Sequence, residues 1–319
     1  MAAGAAVDAL VGDPRRAHPV AAFGTLAAAA EARYWADSRA RGVAHALACV
    51  GAAVALGGCA ERVTGARRGY PVLVALATWS VLGARTLRVE AEALHGLLCD
   101  GDLAGARERL THLVGRDPSQ LDAGEISRAA LESVAENTCD AIVAPLLWGA
   151  IAGIPGLLGY RAVNTLDAMV GHRSPRYQNF GWASARLDDL ANLAPARLTA
   201  ALVAASGPRP VTVWRLARRD GARHPSPNSG WSEAAFAAAL GLRLGGRNVY
   251  GDRVEHRPLL GDGRPVRPDD LPRAARLSAR VGAAATAASA LAAILLRRRG
   301  RAGRAARPSE YRSESRTAA

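Results

Sequence analysis

The chain has 319 residues, 50% of them hydrophobic, and a formal net charge of +13. Every basic residue is arginine, which excludes a Walker-type phosphate loop with its lysine, a lysine Schiff base and a lysine general base. The arginines are dispersed and aromatic residues make up only 5%, so neither a basic stripe nor a stacking platform is present and nucleic acid is not an expected partner.

In chain order, GDPRRAHP (12–19) reads as a turn carrying Asp13, Arg15, Arg16 and His18. A polar helix with Glu31, Arg33, Tyr34 and Trp35 follows. No basic region precedes the first apolar stretch, so no cleaved signal is expected. VAHALACVGAAVALGGCA (43–60) and YPVLVALATWSVLGA (70–84) are nearly free of charge. They predict a hairpin of two membrane helices joined by ERVTGARRG, since a hydrocarbon core takes about 20 apolar residues to span. Residues 85–138 turn amphipathic and predict a soluble helical insert, with two helices broken at CDGD.

The run DAIVAPLLWGAIAGIPGLLGY (140–160) is interrupted by Pro145, Gly149, Gly153 and Pro155. Either a re-entrant element or a kinked spanning helix satisfies that pattern. The apolar run at 193–206 is short, residues 207–278 predict a loop-rich polar region, and 278–296 is a further spanning candidate. From Arg297 to Ala319 the chain predicts a disordered, arginine-rich tail, cytoplasmic by the positive-inside rule. If the 85–138 helices are cytoplasmic as well, an even number of crossings separates them from the tail. Three candidates lie between, so one of 140–160 and 193–206 should not cross. Cys49, Cys59, Cys99 and Cys139 show no paired metal spacing and read as small buried hydrophobes. The resulting fold class is an all-α, multi-pass integral membrane protein, a single domain over 1–296 with cytoplasmic helical and loop-rich segments. A soluble bundle of buried alanine-rich helices is the alternative.

Three segments concentrate chemistry. In SRAALESVAENTCDAIVAP, Glu132, Glu136 and Asp140 fall at i, i+4 and i+8 on one helical face, with Asn137 beside them. Like charges at that spacing repel, so a cation should meet them, either Mg²⁺, an arginine or a substrate amine. RAVNTLDAMVGHRSPRYQNFGWASARLDDLANLAPAR combines Asn164 and Asp167, one turn apart, with Asp188, Asp189 and Asn192 and with Arg161 and Arg186. Carboxylates with an amide at this spacing suit a divalent cation, and arginines suit phosphate. In RHPSPNSGWSEAAFAAALGLRLGG (223–246), His224, Ser226, Asn228, Ser229 and Glu233 surround the start of an alanine-rich helix, where a phosphate or nucleotide contact is expected. A solvated acidic face and an ordinary helix cap are the plain readings of the same residues.

GDPRRAHPV, ESVAENTCDAIVAPLLW, AVNTLDAMVG, FGWASARLDDLANLAPAR and HPSPNSGWSEAAFAAALGLRLGG stand in the order and rough spacing of the CobD/CbiB family, which the chain resembles over about residues 8–262. HRSP at 172–175 departs from the family pattern, and His172 receives no role. The resemblance implies an adenosylcobinamide-phosphate synthase, an enzyme of the cell membrane with its active site toward the cytoplasm. Such an enzyme joins adenosylcobyric acid to (R)-1-amino-2-propanol O-2-phosphate, or to free aminopropanol, using ATP and Mg²⁺. On this reading Glu136, Asp188 and Asp189 hold Mg²⁺. Asn192, His224, Ser226, Asn228 and Ser229 surround the nucleotide, Arg161 and Arg186 take phosphate, and Glu132 accepts the amine proton. Trp148, Trp182 and Trp231 either line the corrinoid pocket or anchor the membrane interface. A transporter for an amphiphilic anion, with the acidic stripe coupling ions, and a scaffold without chemistry are the rival readings.

Overall fold

The computed structural model describes residues 1–13, 18–64, 69–115, 117–172, 174–250 and 253–305. Arg15, Arg16 and the tail beyond Ala305 lie outside them. The structure is about 76% helical. In order it forms α1 (Ala2–Val11), α2 (Pro19–Tyr34), α3 (Arg39–Thr64), α4 (Gly69–Val81), α5 (Ala84–Cys99), α6 (Leu103–Leu110) and α7 (Ala123–Thr138). There follow α8 (Ala144–Leu166), α9 (Trp182–Ala191), α10 (Leu193–Ala205), α11 (Pro210–Gly221), α12 (Ser229–Leu240), strands β1 (Leu242–Tyr250), β2 (Arg253–Leu260) and β3 (Arg264–Pro265), and α13 (Asp270–Ala305).

Four helical stretches are long and apolar enough to cross a bilayer, at Arg39–Thr64, Gly69–Cys99, Ala123–Gly171 and Asp270–Leu295. Protein buries only 17% of the apolar stretch of α3. Leu47, Val54, Leu56 and Val63 stand exposed on it, Val72 and Leu76 on α4, and Leu291, Ile294 and Leu295 on α13. Apolar surface this continuous is stable against lipid rather than water. α3 and α4 are therefore the membrane hairpin anticipated at 43–60 and 70–84, and the protein is a multi-pass membrane protein. α13 continues to Ala305, so helix occupies part of the segment expected to be disordered from Arg297.

The stretch Ala123–Gly171 does not run straight. At Gly153 φ is 65° and ψ is −143°, a conformation open essentially to glycine. There the chain doubles back: Gly149 meets Leu157, Gly156 meets the Trp148 carbonyl, and Tyr160 returns beside Cys139 and Asp140. In a straight helix Asp140 and Tyr160 would stand about 30 Å apart. Each arm, 140–153 and 154–167, is about 20 Å long, short of a hydrocarbon core of about 30 Å. Of the two sequence readings, the re-entrant one holds. Its tip is capped from α3, where Glu61 Oε1 accepts the Ile154 N–H at 2.9 Å and the Tyr70 hydroxyl at 3.0 Å. Backbone groups freed at membrane depth need such partners.

α13 runs beside the descending arm. Thr138 donates to Ser278 at 2.7 Å, Gly282 faces Ile142, and Ala293 borders the space at the tip with Glu61 and Gly153. The short run at 193–206 becomes α10, which packs on α11 and α12 with Ala200, Val203 and Ala204 buried in the core shared with α5, α6 and α7. Neither suspect segment crosses, so α13 alone separates the helical domain from the arginine-rich carboxyl end. The expectation that both face the cytoplasm is thereby corrected: they lie on opposite sides.

Residues 207–278 are not loop-rich. They hold α11, α12 and a three-stranded sheet in the order β2-β1-β3, with β1 antiparallel to β2 and parallel to β3. The glycines read as loop punctuation serve turns, Gly241 (φ 69°) ending α12 and Gly245 (φ 78°) lying in a bulge of β1. Two buried aspartates tie the region down. Asp220 accepts two bonds from Arg219 at 2.7 and 2.9 Å and the Gly261 N–H at 2.9 Å, while Asp270 receives Arg264, Arg273 and the Arg267 N–H. The insert behaves as expected, with α5 and α6 breaking at the CDGD turn.

Candidate active site

The site lies where the mouth of the re-entrant hairpin meets α7, α9 and the start of α12. α7 begins on a capping box, Asp122 and Glu125 each bonding the other's backbone N–H, which sets the phase of the helix that presents Glu136. At the mouth the hairpin opens into π-helical turns at Cys139–Val143 and Asp167–Gly171. One carries Asp140 and the other Asp167. Such turns admit an extra residue and re-aim the side chains that follow, and they recur at functional sites. α9 brings Asp188 and Asp189.

Glu136, Asp140, Asp167, Asp188 and Asp189 are each half-buried and close enough to repel one another. Asp140 feels Asp188, Glu136 and Asp167, and Asp167 feels Asp188, Asp189 and Glu136. Amides fix the central member: Asn192 Nδ2 donates to Asp188 Oδ2 at 3.0 Å and Asn164 Nδ2 to Asp188 Oδ1 at 3.4 Å. The Tyr160 hydroxyl in turn donates to Asn192 Oδ1 at 2.9 Å. Arg186 pairs with Asp189 at 2.7 Å from an exposed position. Arg161 reaches Asn164 Oδ1 at 3.4 Å, its Nε unpartnered, with Asp13 in electrostatic reach. Asp13 itself accepts the Thr86 hydroxyl at 2.6 Å and faces His18 at 3.5 Å, so the amino-terminal turn is part of the surroundings of the site.

Burial pushes Asp188 up to about 6, and repulsion from Glu136 and Asp189 adds to it while the amide bonds from Asn192 and Asn164 oppose it. An ordinary aspartate titrates near 3.9. Between about pH 4 and 6 the folded state therefore binds more protons than the unfolded state, and Asp188 removes stability as pH rises through that window. In detergent without divalent ions, the stability of the wild type relative to Asp188→Asn is expected to fall between about pH 4.5 and 7. Mg²⁺ should restore it at neutral pH and not at the acid end. A difference in melting temperature that is flat or rises with pH would contradict this.

The HPSPNSG loop joins the cluster differently from the expected open phosphate site. Ser229 Oγ donates to Glu136 Oε1 at 2.8 Å, and Asn228 Nδ2 to the Asp189 carbonyl at 2.8 Å. Arg197 donates to Asn228 Oδ1 at 3.1 Å and stacks on Trp231. The Ser226 hydroxyl accepts the backbone N–H groups of Asn228 and Ser229, each at 3.2 Å, and so fills the place an anion would take at the start of α12. Asn192 and Asn228, both buried, are occupied by protein partners.

Glu132 and His224 stand apart from the cluster. Glu132 Oε1 accepts the Gly245 N–H at 2.9 Å, tying α7 to the bulge of β1. His224 Nδ1 accepts the Ser226 N–H at 3.1 Å, with Nε2 3.8 Å from Glu233, and its burial lowers its affinity for a proton. Side chains eight residues apart on a helix diverge by about 80°, and the π-helical turn adds to the divergence, so Glu132 and Asp140 do not share a ligand. Glu132→Ala is expected to cost about 1–3 kcal/mol by leaving Gly245 unsatisfied, while the folded fraction keeps its turnover. Activity per folded molecule, with thermal unfolding alongside, checks this.

Tyr160 and Arg197 are functional neighbours that sequence reasoning missed. Tyr160 lies one turn before Asn164 on the same face, a signal available in the sequence. Arg197 follows the LDDLANLAP stretch and carries no such mark. Trp148 donates to the Ala191 carbonyl at 3.0 Å and Trp182 meets Arg39.

Fold and site together define a polytopic membrane protein whose helical domain caps a re-entrant hairpin and gathers carboxylates at its mouth. The sequence pattern of the family described as "CobD/Cbib protein" matches residues 1–278. The Cobalamin biosynthesis protein CobD of Mycobacterium tuberculosis is 50% identical over 301 residues, covering 93% of this chain and 95% of the relative. The proteins of that name from Rhodobacter capsulatus and Geobacter metallireducens are both 46% identical, covering 88% and 83% of this chain and 91% and 86% of their own length. No solved structure matches. The chain belongs to the CobD/CbiB family of cobalamin-biosynthesis proteins.

Proposed function

We propose that this protein is the ATP-dependent carboxylate–amine ligase of cobalamin biosynthesis, adenosylcobinamide-phosphate synthase. It joins adenosylcobyric acid to (R)-1-amino-2-propanol O-2-phosphate or to free aminopropanol. The observation that carries the reading is the convergence of Glu136, Asp140, Asp167, Asp188 and Asp189 at one half-buried mouth, faced by arginines alone among the basic residues. Repulsion of that size is tolerated where a cation belongs. All the donors are oxygens, which suits Mg²⁺, and Glu136, Asp140, Asp167 and Asp188 would hold it. Bound there, Mg²⁺ would offset charge on the phosphate oxygens during transfer.

A carboxylate oxygen of the corrinoid acid attacks the γ-phosphorus of ATP and ADP leaves. The amine nitrogen then attacks the acyl carbon, phosphate leaves, and the surplus amine proton passes to a carboxylate. Asp167, with no hydrogen bond from a side chain among the described residues, takes that proton in place of the distant Glu132. Arg186 and Arg161 border the cluster and meet phosphate. Asn192, Ser229 and Asn228 are positioning residues, orienting Asp188, Glu136 and the α9 end respectively. Ser226 and His224 shape the loop that carries them.

The re-entrant, broken helix also favours a transporter, since such elements form substrate sites in carriers. Incubating detergent-solubilised protein with adenosylcobyric acid, ATP, Mg²⁺ and each amine, read by mass spectrometry, separates the two. A new amide product supports the ligase. Absence of product, with accumulation of unmodified substrate in sealed vesicles, overturns it.

A further inference from the structure

We infer that His95, Cys99 and Asp269 form a zinc(II) site on the helical domain, independent of the carboxylate cluster. His95 and Cys99 lie one turn apart on α5, so their side chains share a face. Asp269 comes from the turn leading into α13, which packs along α5. One ligand atom from each of the three lies within 4.8 Å of the others.

Two details separate this triad from a chance grouping. The first is the tautomer of His95. Its Nδ1 lies 3.1 Å from the Pro268 carbonyl, and a carbonyl oxygen only accepts, so the hydrogen sits on Nδ1 and the Nε2 lone pair is free. A second-shell carbonyl of this kind orients metal-bound histidines, and here it comes from the residue next to Asp269. The second is spacing. Cys99 Sγ lies 3.6 and 3.7 Å from the two ring nitrogens of His95. Zn–S and Zn–N bonds of about 2.3 and 2.05 Å at a tetrahedral angle place sulfur and nitrogen about 3.6 Å apart.

The donor set is imidazole, thiolate and carboxylate, which suits zinc and disfavours magnesium or calcium. Three protein ligands leave the fourth position to water. Cys99 and Asp269 are exposed and His95 is half-buried, so the ion reaches the site from solvent. Binding releases the thiol proton, and affinity falls as pH is lowered. Exposure of Cys59 and Cys99 also corrects their reading as buried hydrophobes. The ion would staple the end of α5 to the start of α13.

The test is a titration of the purified, metal-free full-length protein with cobalt(II), followed by absorption. Tetrahedral cobalt on a thiolate gives a sulfur-to-metal charge-transfer band in the near ultraviolet, which magnesium-type oxygen sites lack. The expected result is a saturable band at one equivalent, displaced by zinc, lost in Cys99→Ser, and requiring about 10-fold or more cobalt in His95→Gln and Asp269→Asn. All three variants should elute and melt as wild type does in the absence of metal. A wild-type protein without the band, or a band that survives in Cys99→Ser, overturns the assignment. In the second case the thiolate would be another one, Cys139 beside Asp140 being the nearest to a carboxylate cluster.

Discussion

Asp188→Asn is expected to lower turnover by about 100-fold or more, equivalent to about 3 kcal/mol of transition-state stabilisation. The protein should still insert and extract from membranes normally. Asparagine keeps the volume and one acceptor for Asn164 or Asn192, so the helical frame has no reason to move. What it removes is the negative charge at the centre of the cluster. The half-saturating Mg²⁺ concentration should rise with it. Stability without metal should move the other way, because the variant relieves the repulsion that Glu136, Asp140 and Asp167 exert on Asp188. Loss of activity joined to gain of metal-free stability marks acids held together for a cation. A purely structural acid would lose both. Turnover within about threefold of wild type, measured by product mass under saturating ATP and Mg²⁺, would remove Asp188 from the site.

Gly153→Ala carries the largest expected effect on stability. The residue sits at φ 65° and ψ −143°, where a side chain costs about 1–3 kcal/mol. An added Cβ would also press on Glu61 Oε1, the atom that accepts the Ile154 N–H. Displacing Glu61 at membrane depth leaves that N–H unsatisfied, at about 1–3 kcal/mol more. Together these amount to about 2–6 kcal/mol, enough to depress the yield of folded protein sharply. Glu61→Ala keeps the permissive backbone and loses only the cap, so it should fall between wild type and Gly153→Ala. Melting temperatures in detergent, ranked in that order, are the expected result. Equal values for Gly153→Ala and wild type would mean that the chain does not reverse at this residue.

Much of the helical frame was legible because it obeys one period. Residues 43–60 and 70–84 are apolar throughout, and the amphipathic 85–117 segment breaks at a turn whose residues, CDGD, terminate helices for stereochemical reasons. The acidic stripe and the ARLDDLAN stretch also pointed to their place correctly, since costly charges beside apolar sequence need a common reason. What escaped has physical causes as well. A π-helical turn shifts the phase by one residue without any compositional mark, so the divergence of Glu132 from Asp140 was invisible. Fold-back at Gly153 follows from one dihedral pair, and Gly149, Gly153 and Pro155 leave a kink equally open. The sheet escaped because its glycines and prolines look like loop. Ser226 satisfying the start of α12 is tertiary detail that a helix-cap argument cannot separate from an anion site.

The reversal at Gly153 bears on how the chain enters the bilayer. A hydropathy profile scores 140–160 as a passage, yet both of its ends return to one face, so any count of passages misassigns the side of everything downstream. The hairpin also cannot be anchored by its own length. It must be received by α3, α4 and α13, and since α13 is made last, the mouth with its acids is completed only when nearly the whole polypeptide has been synthesised.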